Sequence, residues 1–386
     1  MPDMKRRLLI LSEIIAPYRI PVFNALAQHQ DIDLHVVFLA ETDTQLRQWR
    51  VYKNELRFSY KVLPSWRFRL GAKSVLLNWR MRASLKRFAP EVIICGGYNY
   101  FASWEALSWS RRNKVDFILW SESNQHDARS GRRWVESLKT HFVAGCDRFV
   151  VPGKSSFAYL ESLGVAQEKI FTAPNAVDND WFETQAKIAR SRAQELRERL
   201  GLPERFILYV GRLVPEKGIF DLLEAYGRLE DEVKRAVGLV FAGDGKNRSQ
   251  LEKKAKKIGP GTICFPGFAQ REDLAALYGL ADLFVLPTHS DPWGLVVNEA
   301  MACGLPVMVT NVAGCAADLV DDGWNGFVVP HGDPDNLCRG VDAILRNDQL
   351  RQEMSVRGLE RIREYSPKAC AAGLAAAAFP ARGRVS

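Results

Sequence analysis

The sequence predicts an α/β protein of two doubly wound domains, each a parallel sheet with helices on both faces. Three observations carry this. Short, continuous apolar runs such as Leu8–Leu11, Val92–Cys95, Phe206–Val210 and Leu283–Leu286 recur along the chain, as parallel strands buried on both faces require. Helical and polar segments separate them in a strand, helix, strand rhythm. The length of 386 residues is room for two domains with separate cores.

In the first half, strands are expected near Leu8–Leu11, Leu34–Leu39, Phe58–Leu63, Val92–Cys95, Phe117–Trp120, Phe149–Val151 and Ile170–Ala173. In the second they fall near Phe206–Val210, Leu239–Ala242, Ile263–Phe265, Leu283–Leu286, Pro306–Thr310 and Phe327–Val329. Residues 1–175 form one expected domain and 204–365 the other. A polar linker over 176–203, with a charged helix at Ala186–Leu200, is expected between them. Ser366-Pro367 has the chemistry of an N-cap and first helical residue. It opens an Ala-rich helix over about 366–379 that is expected to pack back on the first domain.

Hydrophobic content of 47% and charged content of 25% are those of a water-soluble globular protein. Seven cysteines without close CxxC spacing argue against a zinc site or disulfide framework and suit a reducing cytosol. No HxxxH or HExxH pair is present, so no metal centre or other cofactor is expected. Asp178-Asn179-Asp180 has the form of a cation-binding DxD triplet but reads as a loop. Lys5-Arg6-Arg7 followed by Leu8–Leu11 imitates a signal peptide, yet the apolar run stops at Ser12-Glu13, too short for an h-region. A bilayer span needs about 20 apolar residues, and none is expected.

The net charge of +8 is unevenly placed. Residues 1–181 hold 26 Lys+Arg against 18 Asp+Glu, whereas the rest is neutral, with 27 of each. Residues 47–87 alone carry 12 basic side chains and one acid, Glu55, interleaved with Trp49, Tyr52, Phe58, Tyr60, Trp66, Phe68 and Trp79. Lys73–Phe88 reads as a basic amphipathic helix, with Val75, Leu76, Trp79 and Phe88 on its apolar side. Such a stretch either packs on the sheet or docks on an anionic membrane surface. No nucleic-acid-binding motif accompanies the charge.

The chemistry concentrates in the second half. The strand Phe206–Val210 runs into Gly211-Arg212-Leu213-Val214-Pro215-Glu216-Lys217-Gly218, and a helix follows. Glycines admit a ligand close to the backbone, a helix amino terminus offers free N–H groups to an anion, and Arg212 and Lys217 are fixed cations in the same turn. Gly243-Asp244-Gly245 makes a second turn after Leu239–Ala242. Neither turn is a dinucleotide fingerprint or a P-loop. Asp291 and Glu299 then bracket Asp-Pro-Trp-Gly-Leu-Val-Val-Asn-Glu at the carboxyl end of Leu283–Leu286, where open α/β sheets bind ligands. Carboxylates there accept hydrogen bonds from vicinal hydroxyls, although an acid before a helix also serves simply as an N-cap.

In this order and spacing, Gly211-Arg212, Glu216-Lys217-Gly218, Gly243-Asp244-Gly245, Asp291-x7-Glu299 and Gly314 strongly resemble the nucleotide-sugar-binding half of family 4 glycosyltransferases. The resemblance covers Phe206 to about Asp333 closely and the first half loosely. It implies a GT-B fold, two Rossmann-like domains facing a central cleft, with the donor held by the second and the acceptor by the first. It implies retention of anomeric configuration and no catalytic metal. Carried over residue by residue, Arg212 and Lys217 clamp the diphosphate and Glu299 holds the ribose hydroxyls. Asp291 contacts the transferred sugar, Gly243 borders the nucleotide, Gly294 and Leu295 offer backbone N–H groups to the phosphates, and Gly211 is a further donor-binding candidate.

This chain departs from the family at three places. Asp291 stands where Glu is usual. Gly314-Cys315 replaces Gly-Gly, which matters only if the second position needs a positive φ. The first strand leads to Glu13-Ile14-Ile15-Ala16-Pro17-Tyr18-Arg19 without glycine, and a later strand ends in Trp120-Ser121-Glu122-Ser123 where the family has a histidine. Ser121 or Glu122 takes that place, and the nearest histidine is His126. Glu122, Arg19, Tyr98 and His126 are the candidate acceptor-side residues, Glu122 also having the alternative of a capping or ion-paired acid.

The function expected is transfer of a sugar from a nucleotide-diphosphate-sugar to a hydroxyl of a glycan or polyprenyl-linked acceptor, as in cell-surface polysaccharide assembly. The site is cytoplasmic, at the inner face of the plasma membrane through residues 47–87. A nucleotide-sugar epimerase of the same fold and a non-catalytic membrane-peripheral scaffold are the rival expectations.

Overall fold

A computed structural model describes residues 5–43, 48–70, 73–125 and 133–380. The chain divides into two compact units. One comprises residues 1–176 together with 367–386, and the other residues 177–366.

The first unit is built on a seven-stranded parallel sheet. Its strands, in chain order with those of an inserted hairpin, are β1 (Arg6–Ser12), β2 (Ile32–Phe38), β3 (Ser59–Val62), β4 (Ser65–Leu70), β5 (Lys73–Asn78), β6 (Val92–Cys95), β7 (Asp116–Trp120), β8 (Arg148–Val151) and β9 (Ile170–Thr172). The sheet order is β3-β2-β1-β6-β7-β8-β9, and β4 and β5 form a separate antiparallel pair. Leu8, Ile10, Ile94 and Ile118 pack on one face of the sheet and Leu9, Leu11, Ile93 and Phe117 on the other, each set inside its own apolar cluster. Burial on both faces is why these strands read as unbroken apolar runs.

The second unit repeats the plan with β10 (Phe206–Val210), β11 (Gly238–Ala242), β12 (Ile263–Gly267), β13 (Leu283–Leu286), β14 (Val307–Thr310) and β15 (Gly326–Val329). The order β12-β11-β10-β13-β14-β15 places the reversal of strand order between β10 and β13, which pair in parallel with Ile207 opposite Leu283. All thirteen expected strands coincide with observed ones to within two residues. The helix Pro367–Ala378 buries Cys370, Leu374 and Ala377 in the same cluster as Phe23 and Leu26 of the first unit.

Two expectations are corrected. Lys73–Phe88 is not one helix: Lys73–Asn78 is a strand, and the helix runs only over Met81–Phe88. Leu76 and Asn78 are buried while Leu77 between them is exposed, a period of two rather than 3.6. Arg80 then adopts a left-handed φ of 72°, which stops a helix extending backwards. The partner strand β4 carries a charge at alternate positions and went unread. The stretch 176–203 is no linker either. It forms the helices Asn179–Ser191 and Ala193–Leu200, and Phe182, Ala186 and Ala189 lie in the core of the second unit. The Asp-Asn-Asp triplet opens the first of these, with the Asp178 carboxylate accepting from the Trp181 N–H at 3.1 Å as an N-cap.

At the switch point the chain leaving β10 crosses close under the end of β13. Gly218 has φ +66°, and a Cβ on it would stand 1.7 Å from the carbonyl oxygen of Pro287. Gly218→Ala should therefore destabilise the second unit by about 2–5 kcal/mol, adding a left-handed-backbone penalty to overpacking. Thermal and urea unfolding measure this, and an unchanged midpoint contradicts the close crossing.

Candidate functional site

In an open α/β sheet, the loops leaving the two strands on either side of the order reversal splay apart and leave a crevice. In the second unit those loops are 211–218 after β10, with Arg212 and Lys217, and 287–294 after β13, with Asp291. The loops are stitched together. Thr288, fully buried, donates its hydroxyl to Glu216 O (3.1 Å), and the His289 N–H donates to the same carbonyl at 3.0 Å. Thr310 in turn donates to Thr288 O at 2.6 Å.

Across this seam the Lys217 ammonium donates to Asp291 Oδ2 at 2.7 Å and to Ser290 O at 3.0 Å. Their side chains are 14% and 18% exposed, so the pair is sheltered yet reachable. The other Asp291 oxygen accepts the Trp293 N–H at 3.2 Å. Asp291 is not a helix cap. That position belongs to Gly294 (φ +96°), which opens the helix Leu295–Ala302. The N–H groups of Gly294 and Leu295 have no hydrogen-bond partner among the described residues, as a site for anionic oxygens requires.

Arg212 is exposed, and its guanidinium has no hydrogen bond or ion pair among the described residues. Its backbone is held from below, since the buried Tyr209 hydroxyl donates to Arg212 O at 2.9 Å. Gly211 and Gly243 meet where the β10 and β11 loops touch: a Cβ on Gly243 would lie 1.9 Å from Gly211 O. A Cβ on Gly314 would lie as close to Pro292 O, at 1.8 Å, and the Gly314 N–H donates to Asp291 O. Cys315 has φ −82°, an ordinary conformation for any residue, so the missing second glycine is of no consequence.

Glu299, in the helix Leu295–Ala302, accepts from the buried Tyr278 hydroxyl at 2.9 Å. Burial pushes its carboxyl up to about 7, only partly offset by that hydrogen bond. The Tyr278 hydroxyl is itself driven well above its usual range by burial and by the Glu299 charge. A ligand hydroxyl reaching Glu299 would supply the hydrogen bonding that the ionised form lacks.

In the first unit, the Arg19 guanidinium forms an ion pair with Glu122 and stacks 3.8 Å above the Trp120 ring. Arg19 is 13% exposed and Glu122 37%; the neighbouring Ser121 is buried. Tyr98 packs against the Phe142 ring, and its carbonyl accepts from the Trp104 indole at 3.0 Å. His126 lies outside the described residues. Sequence reading missed Thr288, His289 and Tyr278. Only a polar Thr-His-Ser run after an apolar strand, and one phenol in an apolar helix, hinted at them. His289 Nε2 pairs with Asp221 Oδ2 at 2.8 Å, tying the acid loop to the helix Ile219–Arg228 as well. Among the described residues there is no group of three or more His, Cys, Asp or Glu side chains arranged to hold a metal.

Two Rossmann-like units, the second with the Lys217–Asp291 pair at its switch point, define the GT-B class. The family model described as glycosyl transferases group 1 matches residues 192–361, and that of glycosyltransferase family 4 matches residues 23–181. The chain belongs to the family 4 glycosyltransferases. It is 35% identical over 167 residues to an alpha-D-kanosaminyltransferase of Streptomyces kanamyceticus, covering 43% of each chain. It is 31% identical over 241 residues to a D-inositol 3-phosphate glycosyltransferase of Xylanimonas cellulosilytica, covering 60% of this chain and 56% of that one. These matches thus span about half the length of the relatives or less. Its fold matches that of Anabaena Alr3699/HepE in complex with UDP, with TM-score 0.73 at 18% identity over 96% of this chain and 98% of the other.

Two expected outcomes follow from the geometry. The folded Glu299 carboxyl lies above its ordinary value of 4.5, so its linked stability is full below that pH and is lost as pH rises through about 7. Glu299→Gln should raise Tm relative to the parent at pH 8 and not at pH 4.5, while weakening nucleotide binding; an equal Tm difference at both pH values contradicts the burial. Glu122→Gln leaves the sheltered Arg19 charge uncompensated and should destabilise the first unit by about 1–2 kcal/mol, discounted for the exposure of Glu122. Chemical denaturation measures this, and no change means that the pair is decorative.

Proposed function

We propose that the protein transfers a sugar from a nucleotide-diphosphate-sugar, UDP- or GDP-linked, to an acceptor hydroxyl with retention of anomeric configuration. One observation carries the proposal. Arg212 and the N–H groups of Gly294 and Leu295, without a partner among the described residues, belong with the Lys217–Asp291 pair to loops that share one end of one sheet. The diphosphate would take its place against the cations and the helix terminus, Glu299 would accept from the ribose hydroxyls, and Asp291 would meet the transferred sugar. The bond between the anomeric carbon and the β-phosphate oxygen breaks, and the acceptor oxygen bonds to that carbon on the same face. The acceptor proton passes to the departing phosphate oxygen, whose growing charge Arg212 and Lys217 offset. Charge neutralisation by these side chains requires no metal or cofactor.

The acceptor falls to the first unit, where Arg19 and Glu122, with Tyr98 and His126, are its assigned residues. The net charge of residues 47–87, 12 basic against one acidic, supports a glycan or polyprenyl-linked acceptor at an anionic cytoplasmic membrane surface. No helix among the described residues is long and apolar enough to cross a membrane. Polysaccharide assembly is the process that such an acceptor suits.

Arg212→Ala should lower kcat for sugar transfer by about 10²-fold, the size of losing an electrostatic contact made in the transition state. Steady-state assays with and without added acceptor measure this. A loss below threefold removes Arg212 from the mechanism, and turnover independent of acceptor would mark an epimerase instead.

A further inference from the structure

The hairpin β4–β5 is an insertion between β3 and β6 that does not join the parallel sheet. Its register runs from Ser65 opposite Asn78 to Leu70 opposite Lys73, so Trp66 faces Leu77 and Phe68 faces Val75 across the pair. Alternation divides the hairpin into two unlike faces. On the inner face Leu76 is buried, in the same apolar cluster as Val37, Leu39 and Leu85. Asn78 donates to Leu39 O at 2.6 Å, and Arg67 is ion-paired to the buried Asp43. This face is anchored to the domain by packing, a hydrogen bond and a charge pair.

Among the described residues the outer face has no such hydrogen bond or ion pair. Trp66 is 63% exposed and Leu77 39%, and the Trp66 and Phe68 rings lie 5.0 Å apart along the strand. Trp79, at the base of the hairpin, is 49% exposed. A two-stranded ribbon is marginal by itself, and large apolar side chains gathered on its water side mark an interaction surface. The charge around it selects the partner. Arg80, Lys86 and Arg87 follow within ten residues, all exposed and without an ion-pair partner among the described residues. A second copy would bring the same excess of cations against this one, whereas an anionic surface neutralises it.

We propose that the outer face of this hairpin is a membrane-insertion element. Trp66, Phe68, Val75, Leu77 and Trp79 enter the interfacial layer of an anionic bilayer, and Arg80, Lys86 and Arg87 meet its headgroups. The inference deepens the membrane-surface reading of residues 47–87 and rests on it, replacing an amphipathic helix with a β-ribbon as the contacting element.

The full chain is floated with phosphatidylcholine vesicles and with vesicles containing about 30% phosphatidylglycerol, the anionic component on which polybasic attraction depends. Binding is expected only to the anionic vesicles. Trp66→Ser/Leu77→Ser should weaken it about 10-fold through lost apolar burial. Arg80→Glu/Lys86→Glu/Arg87→Glu should weaken it at least about 100-fold, at roughly one factor of five or more per charge. Unchanged circular dichroism and Tm show that the variants fold. Flotation needs no donor and donor binding needs no vesicle, so loss of one leaves the other standing. Equal flotation with both lipids, or flotation that survives both variants, overturns the proposal. So does a dimer of the parent in sedimentation that Trp66→Ser/Leu77→Ser abolishes, which assigns the patch to a second copy.

Discussion

The ion pair between Lys217 and Asp291 is the constraint around which the second unit is arranged. It spans the one seam where two neighbouring parallel strands send their following loops in opposite directions. A half-sheltered pair of this kind adds little net stability, because desolvation takes back most of the Coulombic gain. Its value is placement. Lys217 is held at the amino-terminal side of the helix Ile219–Arg228, and Asp291 shortly before the helix Leu295–Ala302. Neither helix end would face a shared ligand if the two loops drifted apart. A diphosphate entering the crevice would compete with Asp291 for the ammonium, which frees the carboxylate to accept from a sugar hydroxyl.

That seam is braced by groups with no ionic role. The Thr288 and His289 contacts to Glu216 O and the glycine contacts at Gly218, Gly243 and Gly314 bring backbone to within one side chain's thickness. Arg212 stands out against this rigidity as a charged side chain on a fixed backbone without a partner among the described residues. Preorganised backbone with a free cation suits stabilisation of a charge that develops only during the reaction. In the first unit the arrangement is different. Arg19 is already neutralised by Glu122 and stacked on Trp120, so that pair offers shape and hydrogen bonding more than net charge.

Much of this was legible in the chain, and the limits have physical causes. Strands such as Val92–Cys95 and Phe206–Val210 were read correctly because burial on both faces leaves nothing but apolar residues to see. The glycine, cation and acid positions of the second unit were legible because each is forced by a close approach or a charge. Lys73–Phe88 misled because its few apolar residues satisfy both a helical and an alternating spacing over a short window; only the tertiary burial of Leu76 and Asn78 decides between them. Asn179–Leu200 reads as a linker because its helices bury only narrow stripes, Phe182, Ala186, Ala189 and Leu196, beneath a charged surface. Pairings such as Tyr278 with Glu299 and His289 with Asp221 join residues 21 and 68 positions apart, and nothing local announces them.

The central claim is that the switch point of the second unit receives a nucleotide-diphosphate-sugar. The most direct measurement is the unfolding temperature of the full chain across a panel of UDP-, GDP- and ADP-sugars without acceptor. A ligand held by the native state alone, at a concentration 100 times its Kd, adds about 2.7 kcal/mol. At least one member of the panel should therefore raise Tm by several degrees, with a saturable dependence on concentration. No shift with any of them would contradict the donor site, and with it the enzymatic reading.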